Sequence, residues 1–237
     1  MNKISILVGL VVLIFIRTVG LSQSAVSVFT TGGHTVYHLR PAFLGQGKDR
    51  GIISATYDGS VLCHTPEGKL HWKTQTGGNF PFDLCVADVN GDGKDEVLVA
   101  SGDGVLYAID SNGKHLWSFK KEFPLYQVCA AKQPDGSSII LTGGVEQVLY
   151  ALSPTGQLRG QLSVGSFIRH LRAGDILGDG REYVAMATTT GALAGTLGLS
   201  LLDPAQLKFL WTRNNVGEYL PNSGRRFFSM AMMDLDH

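Results

Sequence analysis

The sequence predicts an all-β protein: a β-propeller of four-stranded antiparallel blades, about four of them plus the start of a fifth, in an incomplete ring. Three observations carry this. Short apolar runs alternate with glycine-rich turns along the chain. One loop pattern recurs, beginning at Ala42, Asp88, Lys132, Asp175 and Asp234, at intervals of about 45 residues with the last interval longer. Each of the first four loops is followed by a similar half-unit that closes on a tryptophan in three copies, Trp72, Trp117 and Trp211, with Gly160 in the remaining one.

The clearest unit reads as four strands. The first precedes the loop at Leu84–Ala87, the second follows it at Val97–Ala100, the third is Val105–Ile109 and the fourth His115–Phe119. Asn112 and Gly113 form the hairpin turn between the last two, because glycine tolerates the positive φ that such turns need. One such unit cannot bury both faces alone, so neighbours must stack on it, with the tryptophan as filler. The predicted blades run over 31–78, 79–123, 124–166 and 167–222, with a truncated fifth from 223. An open β-solenoid is the structural rival, although its coils are usually shorter than this period.

Residues 1–24 read as a signal peptide. Lys3 gives a positive start, Ile4 to Ile16 is an apolar run, and Gly20, Ser22 and Ser24 offer small residues for cleavage. Arg17 directly after the run keeps an uncleaved anchor as the alternative. The expected location is secreted, periplasmic or cell-surface, with no membrane span after signal removal. Lys and Arg number 20, as do Asp and Glu, and this balance argues against nucleic acid as a partner. Cys63, Cys85 and Cys129 sit in apolar runs and read as buried small hydrophobes rather than a disulfide framework.

The reference loop carries the sharpest chemistry. Asp88, Asn90, Asp92 and Glu96 stand at alternating or near-alternating positions, Gly93 allows a sharp bend, and the Lys94 carbonyl adds an oxygen. Calcium takes six to eight oxygen ligands, and this spacing turns several oxygens toward one ion. A self-bonded Asp/Asn/Gly turn is the competing reading. Asp95 is expected to point outward. Asp175 and Asp179 retain part of the pattern, as a possible weak second metal site into which Glu182 would swing; the Ala42 and Lys132 copies do not.

The residues just before each loop are predicted to line the central channel. They include His38, Arg40, Asp83, Gln127, Arg169, His170, Arg172 and Arg226. Asp83, Gln127 and His170 are expected at equivalent positions, as are Cys85, Cys129 and Arg172. The arginines would suit an anionic ligand such as an acidic sugar, but the expected reading is that they pair with local acids or face solvent at the blade tops. No nucleophile motif, P-loop or zinc spacing is present.

The Asp88–Glu96 loop, followed by Val97–Ala100, resembles the FG-GAP/VCBS group of calcium-bearing propeller repeats. The half-blade Gly104–Trp117 resembles the PQQ-like, quinoprotein-type repeat. The resemblance implies an exported bacterial repeat protein, one calcium site, and for some relatives polysaccharide handling, as in rhamnogalacturonan lyases. PQQ itself is not expected, since no Cys-Cys pair is present. The expected function is a non-catalytic, calcium-stabilised scaffold or recognition module with a protein or carbohydrate ligand. The alternatives are the N-terminal part of a polysaccharide lyase-like or quinoprotein-type enzyme, or a calcium-dependent adhesion protein.

Overall fold

The computed structural model describes residues 14–15, 26–27, 31–45, 49–78, 80–191 and 195–219. Two short strands, β1 (Ile14–Phe15) and β2 (Val26–Ser27), pair antiparallel. Most of the predicted signal peptide and all of the predicted fifth copy lie outside the described residues.

Four four-stranded antiparallel sheets follow, each with its strands in chain order. Blade one holds β3 (Val36–Phe43), β4 (Arg50–Thr56), β5 (Ser60–His64) and β6 (Leu70–Gln75). Blade two holds β7 (Pro81–Ala87), β8 (Glu96–Ser101), β9 (Val105–Ile109) and β10 (His115–Lys120). Blade three holds β11 (Leu125–Lys132), β12 (Ser138–Gly144), β13 (Val148–Leu152) and β14 (Leu158–Ser163). Blade four holds β15 (Phe167–Gly174), β16 (Tyr183–Thr189), β17 (Gly195–Asp203) and β18 (Lys208–Tyr219). This is the propeller blade plan. No helix among the described residues is long and apolar enough to cross a membrane.

The burial pattern explains why the middle strands read as unbroken apolar runs. Every residue of β8 and β9 is buried, because both faces of the sheet are covered by neighbouring blades. The fourth strands β6, β10 and β14 alternate exposed and half-buried residues, as expected at an outer edge. The core is three inter-blade layers. Ile53 and Cys63 of blade one meet Leu84 and Val99 of blade two. Leu98 and Leu106 meet Val128 and Ile140 of blade three. Leu141 and Leu149 meet Ile168 and Val184 of blade four. All three cysteines are free thiols.

The first strands, β3, β7, β11 and β15, pack against one another and form the inner edge. Each carries a bulge near its start. Beyond the bulge, strand pairing places His38, Asp83, Gln127 and His170 opposite equivalent partners, and likewise Arg40, Cys85, Cys129 and Arg172. The same register aligns Phe43, not Ala42, with Asp88, Lys132 and Asp175.

The tryptophans tie successive blades at the outer edge. Trp72 Nε1–H donates to the Ser111 carbonyl at 2.9 Å, and Trp117 Nε1–H to the Pro154 carbonyl at 2.8 Å. Each indole lies on the turn glycine of the next blade. A Cβ on Gly113 would stand 2.7 Å from Trp72, and one on Gly156 would stand 2.5 Å from Trp117. Both glycines have φ near 80°, so their lack of a side chain serves the turn and the docked ring together. Where Gly160 replaces the tryptophan, Leu207 of blade four closes over it. Trp211 occupies the tryptophan register on β18 and is 43% exposed.

Candidate functional site

At the inner edge, Asp83 is the centre of a cluster drawn from all four blades. It is 2% exposed. Its carboxylate accepts the Leu84 N–H at 3.0 Å and, from blade three, the Val128 N–H at 3.2 Å. Arg172 of blade four stands 3.5 Å away and Arg40 of blade one 3.7 Å away. Each guanidinium also donates to a carbonyl on its own strand, Arg40 to Leu39 at 2.8 Å and Arg172 to Leu171 at 2.6 Å. A buried carboxylate requires this kind of compensation.

His38 donates from Nε2 to the Phe82 carbonyl at 2.9 Å. Burial lowers its pKa, and the neighbouring Asp83 charge only partly opposes this, so the ring is neutral at neutral pH. Burial pushes the Cys85 thiol up to about 12, and the Cys129 thiol well above its ordinary range. Both are protonated side chains with little nucleophilic character.

Arg169 is elsewhere. It occupies the bulge position of β15, donates from Nε to Thr189 Oγ1 at 3.0 Å, and lies over the Tyr126 and Phe167 rings. His170 is half-buried on the inner strand. Arg226 lies outside the described residues. The predicted inner-edge set thus divides: Arg40, Asp83 and Arg172 converge with His38 beside them, while Arg169 faces an aromatic surface.

The reference loop joins β7 to β8 at the opposite end of the blade from the β7 bulge. Asp88 accepts the N–H groups of Gly91 and Gly93, at 2.7 and 2.9 Å. Asn90 Oδ1 accepts Asp92 N–H and Asp92 accepts Lys94 N–H, both at 2.8 Å. Glu96 is 2% exposed and accepts from Val89 N–H and Asn90 Nδ2, both at 3.1 Å. Burial, with the Asp92 and Asp88 charges behind it, raises the Glu96 carboxyl to about 7. Among the described residues no three His, Cys, Asp or Glu side chains lie together as a ready-made metal cluster. The donor set is nonetheless all oxygen, and each carboxylate oxygen has a lone pair beyond those taken by backbone N–H groups.

In blade four, Asp175 accepts Asp179 and Gly180 N–H groups. The Asp179 carboxylate is held by the Arg181 guanidinium at 2.9 Å and by Tyr183 OH at 2.8 Å. The chain itself thus supplies a cation there.

Asp95 departs from expectation. Instead of pointing outward, its carboxylate accepts the Phe43 N–H of blade one at 2.6 Å, and its own N–H returns to the Phe43 carbonyl at 2.8 Å. Glu182 stands at the same register in blade four and does not turn toward Asp175. It accepts the Lys132 N–H of blade three at 2.6 Å. These two acids form a backward clamp between blades, opposite in sense to the tryptophans. Their signal in the sequence is an acid directly before the second strand, which the metal pattern obscured.

Residues 51–176 match the lambda-carrageenase beta-propeller domain family. The chain belongs to this family. It is 32% identical over 232 residues to the lambda-carrageenase of Pseudoalteromonas carrageenovora, and 31% identical to that of a Pseudoalteromonas species. These alignments cover 98% of the chain but 23% of either relative. Among solved structures it is similar to BBS1N in complex with ARL6DN (TM-score 0.62, 16% identity, 81% of this chain and 60% of that one) and to the Neurospora crassa Pan2 WD40 domain (TM-score 0.57, 15% identity, 77% and 51%). At such identities the likeness concerns the fold alone.

Proposed function

We propose that the chain is the non-catalytic recognition and scaffold module of an exported protein that acts on a carrageenan-type polysaccharide. One observation carries the non-catalytic reading. Asp83, the carboxylate at the inner-edge cluster, is consumed by two backbone N–H groups and two arginines. A general acid or base must reach a substrate proton, and Asp83 is enclosed by its own partners. Family membership supports the polysaccharide, since the relatives are lambda-carrageenases and this chain matches a minor part of their length.

Calcium is the proposed cofactor, held by Asp88, Asn90, Asp92, Glu96 and the Lys94 carbonyl. The support is an oxygen-only donor set around an acid whose ionisation is resisted first by burial and then by the Asp92 and Asp88 charges, a resistance that a cation relieves. The likeness of this loop to FG-GAP/VCBS repeats points the same way. The ion would stiffen the loop, with no chemical step routed through it.

Two measurements on the same sample test the proposal. Affinity electrophoresis in gels containing lambda-carrageenan, a galactan bearing sulfate esters, is expected to show retardation of the chain. A reducing-end assay is expected to show no cleavage. Unretarded migration removes the recognition role, and release of reducing ends by the purified chain replaces it with an enzymatic one.

A further inference from the structure

We propose that a belt of aromatic rings across the blade end opposite the Asp88–Glu96 loop is the saccharide-binding platform, taking a run of anionic pyranose units. This rests on the recognition reading above and assigns it a site.

The bulge position of each inner strand carries Tyr37, Phe82, Tyr126 or Arg169. The bulge leaves that residue unpaired and re-aims it out of the alternating pattern. Tyr57, from the β4–β5 turn, and Phe80, just before β7, fill the intervals. The rings touch in sequence. Tyr37 and Tyr57 have centroids 4.9 Å apart, Tyr57 and Phe80 5.4 Å, Phe80 and Phe82 6.4 Å, and Phe82 and Tyr126 4.8 Å. The Arg169 guanidinium lies 5.5 Å from the Tyr126 ring and ends the row. The belt thus runs unbroken across all four blades.

Three of these rings face solvent: Tyr37 is 46% exposed, Tyr57 39% and Phe80 53%. Contiguous exposed apolar surface on a soluble protein marks a binding site more often than chance. Phe80 adds an independent reason. Its φ is 57°, in the left-handed region that bulky side chains avoid. Two backbone bonds pin it there, Phe80 N–H to the Tyr57 carbonyl at 3.1 Å and Gly102 N–H to the Phe80 carbonyl at 2.9 Å. Glycine would satisfy this backbone without strain. The chain instead holds a strained phenylalanine and points its ring into water, a combination that stability does not explain.

The chemistry of the row selects its ligand. The C–H face of a pyranose packs on an aromatic ring, while its hydroxyls reach tyrosine OH groups and backbone carbonyls at the margins. Cations stand toward both ends. Arg169 is one. The other is Lys73, whose ammonium donates to His34 Nε2 at 3.0 Å, while His34 Nδ1 bonds Asp58, the residue after Tyr57, at 2.7 Å. The rings meet edge-on or tilted except for the stacked pair Phe80 and Phe82, so the belt offers a stepped row of separate ring faces. Such a row with flanking cations suits a sugar chain carrying sulfate or carboxylate better than a neutral one.

The test uses Phe80→Gly and the double variant Tyr37→Ala/Tyr57→Ala, with titration calorimetry against lambda-carrageenan oligosaccharides and neutral agarose oligosaccharides. Phe80→Gly is expected to keep or raise the melting temperature while weakening binding roughly three- to tenfold, the worth of one ring contact. The double variant is expected to lose more. Nitration of Tyr37 and Tyr57 in the unmodified protein is expected to slow when the sulfated oligosaccharide is present, a readout that does not depend on any variant folding. Wild-type protein that binds no carrageenan sinks both this platform and the recognition reading. Wild-type binding that the variants leave unchanged, with nitration unprotected, sinks the platform alone. Self-association or protein binding that is lost in the variants while carrageenan binding persists makes the belt a protein interface and likewise overturns it.

Discussion

Replacing Asp83 by asparagine tests whether one carboxylate holds four blades together. The side chain keeps its shape, so packing is preserved and only charge and acceptor capacity change. The single amide oxygen of asparagine can serve the Leu84 N–H or the Val128 N–H with good geometry; the other then faces an NH2 group. A buried backbone donor left without a partner costs about 1–3 kcal/mol. The lost attraction to Arg40 and Arg172 adds less, about 1 kcal/mol, because both guanidiniums are partly exposed and sit at 3.5 and 3.7 Å. The expected loss is therefore about 2–4 kcal/mol. Urea unfolding followed by tryptophan emission reads it as an earlier midpoint, with Arg172→Gln costing clearly less alone and little more when added to Asp83→Asn. A change under about 0.5 kcal/mol in Asp83→Asn, within the range of an ordinary surface substitution, would refute the argument that the carboxylate is a structural centre.

Three further expectations follow from named contacts. The Glu96 carboxyl is raised in the fold from 4.5 to about 7, so the folded state binds the extra proton and calcium-free protein should lose stability as pH rises from about 4.5 to 7, on the order of 2–3 kcal/mol. Calcium should cancel that loss and Glu96→Gln should abolish both the slope and the calcium effect; thermal melts across pH, with chelator and with added calcium, check it. Trp117→Ala should cost about 3 kcal/mol, since it removes the ring packed on Gly156 and the bond to the Pro154 carbonyl, and calorimetry showing less than 1 kcal/mol would count against the outer-edge tie. Glu182→Ala should cost about 1 kcal/mol and speed amide exchange at Lys132, whose N–H it accepts; unchanged exchange there would remove the backward clamp.

The fold was largely legible because propeller blades repeat, and Trp72, Trp117 and the Asp88 loop mark the same register in successive copies. The functional surface was much less so. Asp83 reads as one acid among arginines, and nothing in its neighbourhood along the chain reveals that Val128 and Arg172 come from two other blades. Asp95 and Glu182 looked like spare members of a metal loop, because a one-residue offset in register decides whether an acid faces the loop or the preceding blade. The aromatic belt was hidden for a different reason. Tyr37, Phe82 and Tyr126 look like ordinary strand residues, and only the bulge, which leaves no mark in the sequence, turns them out of the alternation. Leu207 closing over Gly160 is similar: the missing tryptophan is visible in the chain, but its replacement comes from the next blade.

The tryptophan register also gives the protein a built-in optical probe. Two of its three indoles are packed against a turn and hydrogen-bonded, while Trp211, at the same register on β18, stands 43% exposed. Their emission should therefore separate into a bluer, quencher-resistant pair and one redder, quencher-accessible ring. Anything that packs on the outer face of blade four, whether further chain or another molecule, would shift the third toward the other two, so that occupancy of that face can be followed in solution by colour alone.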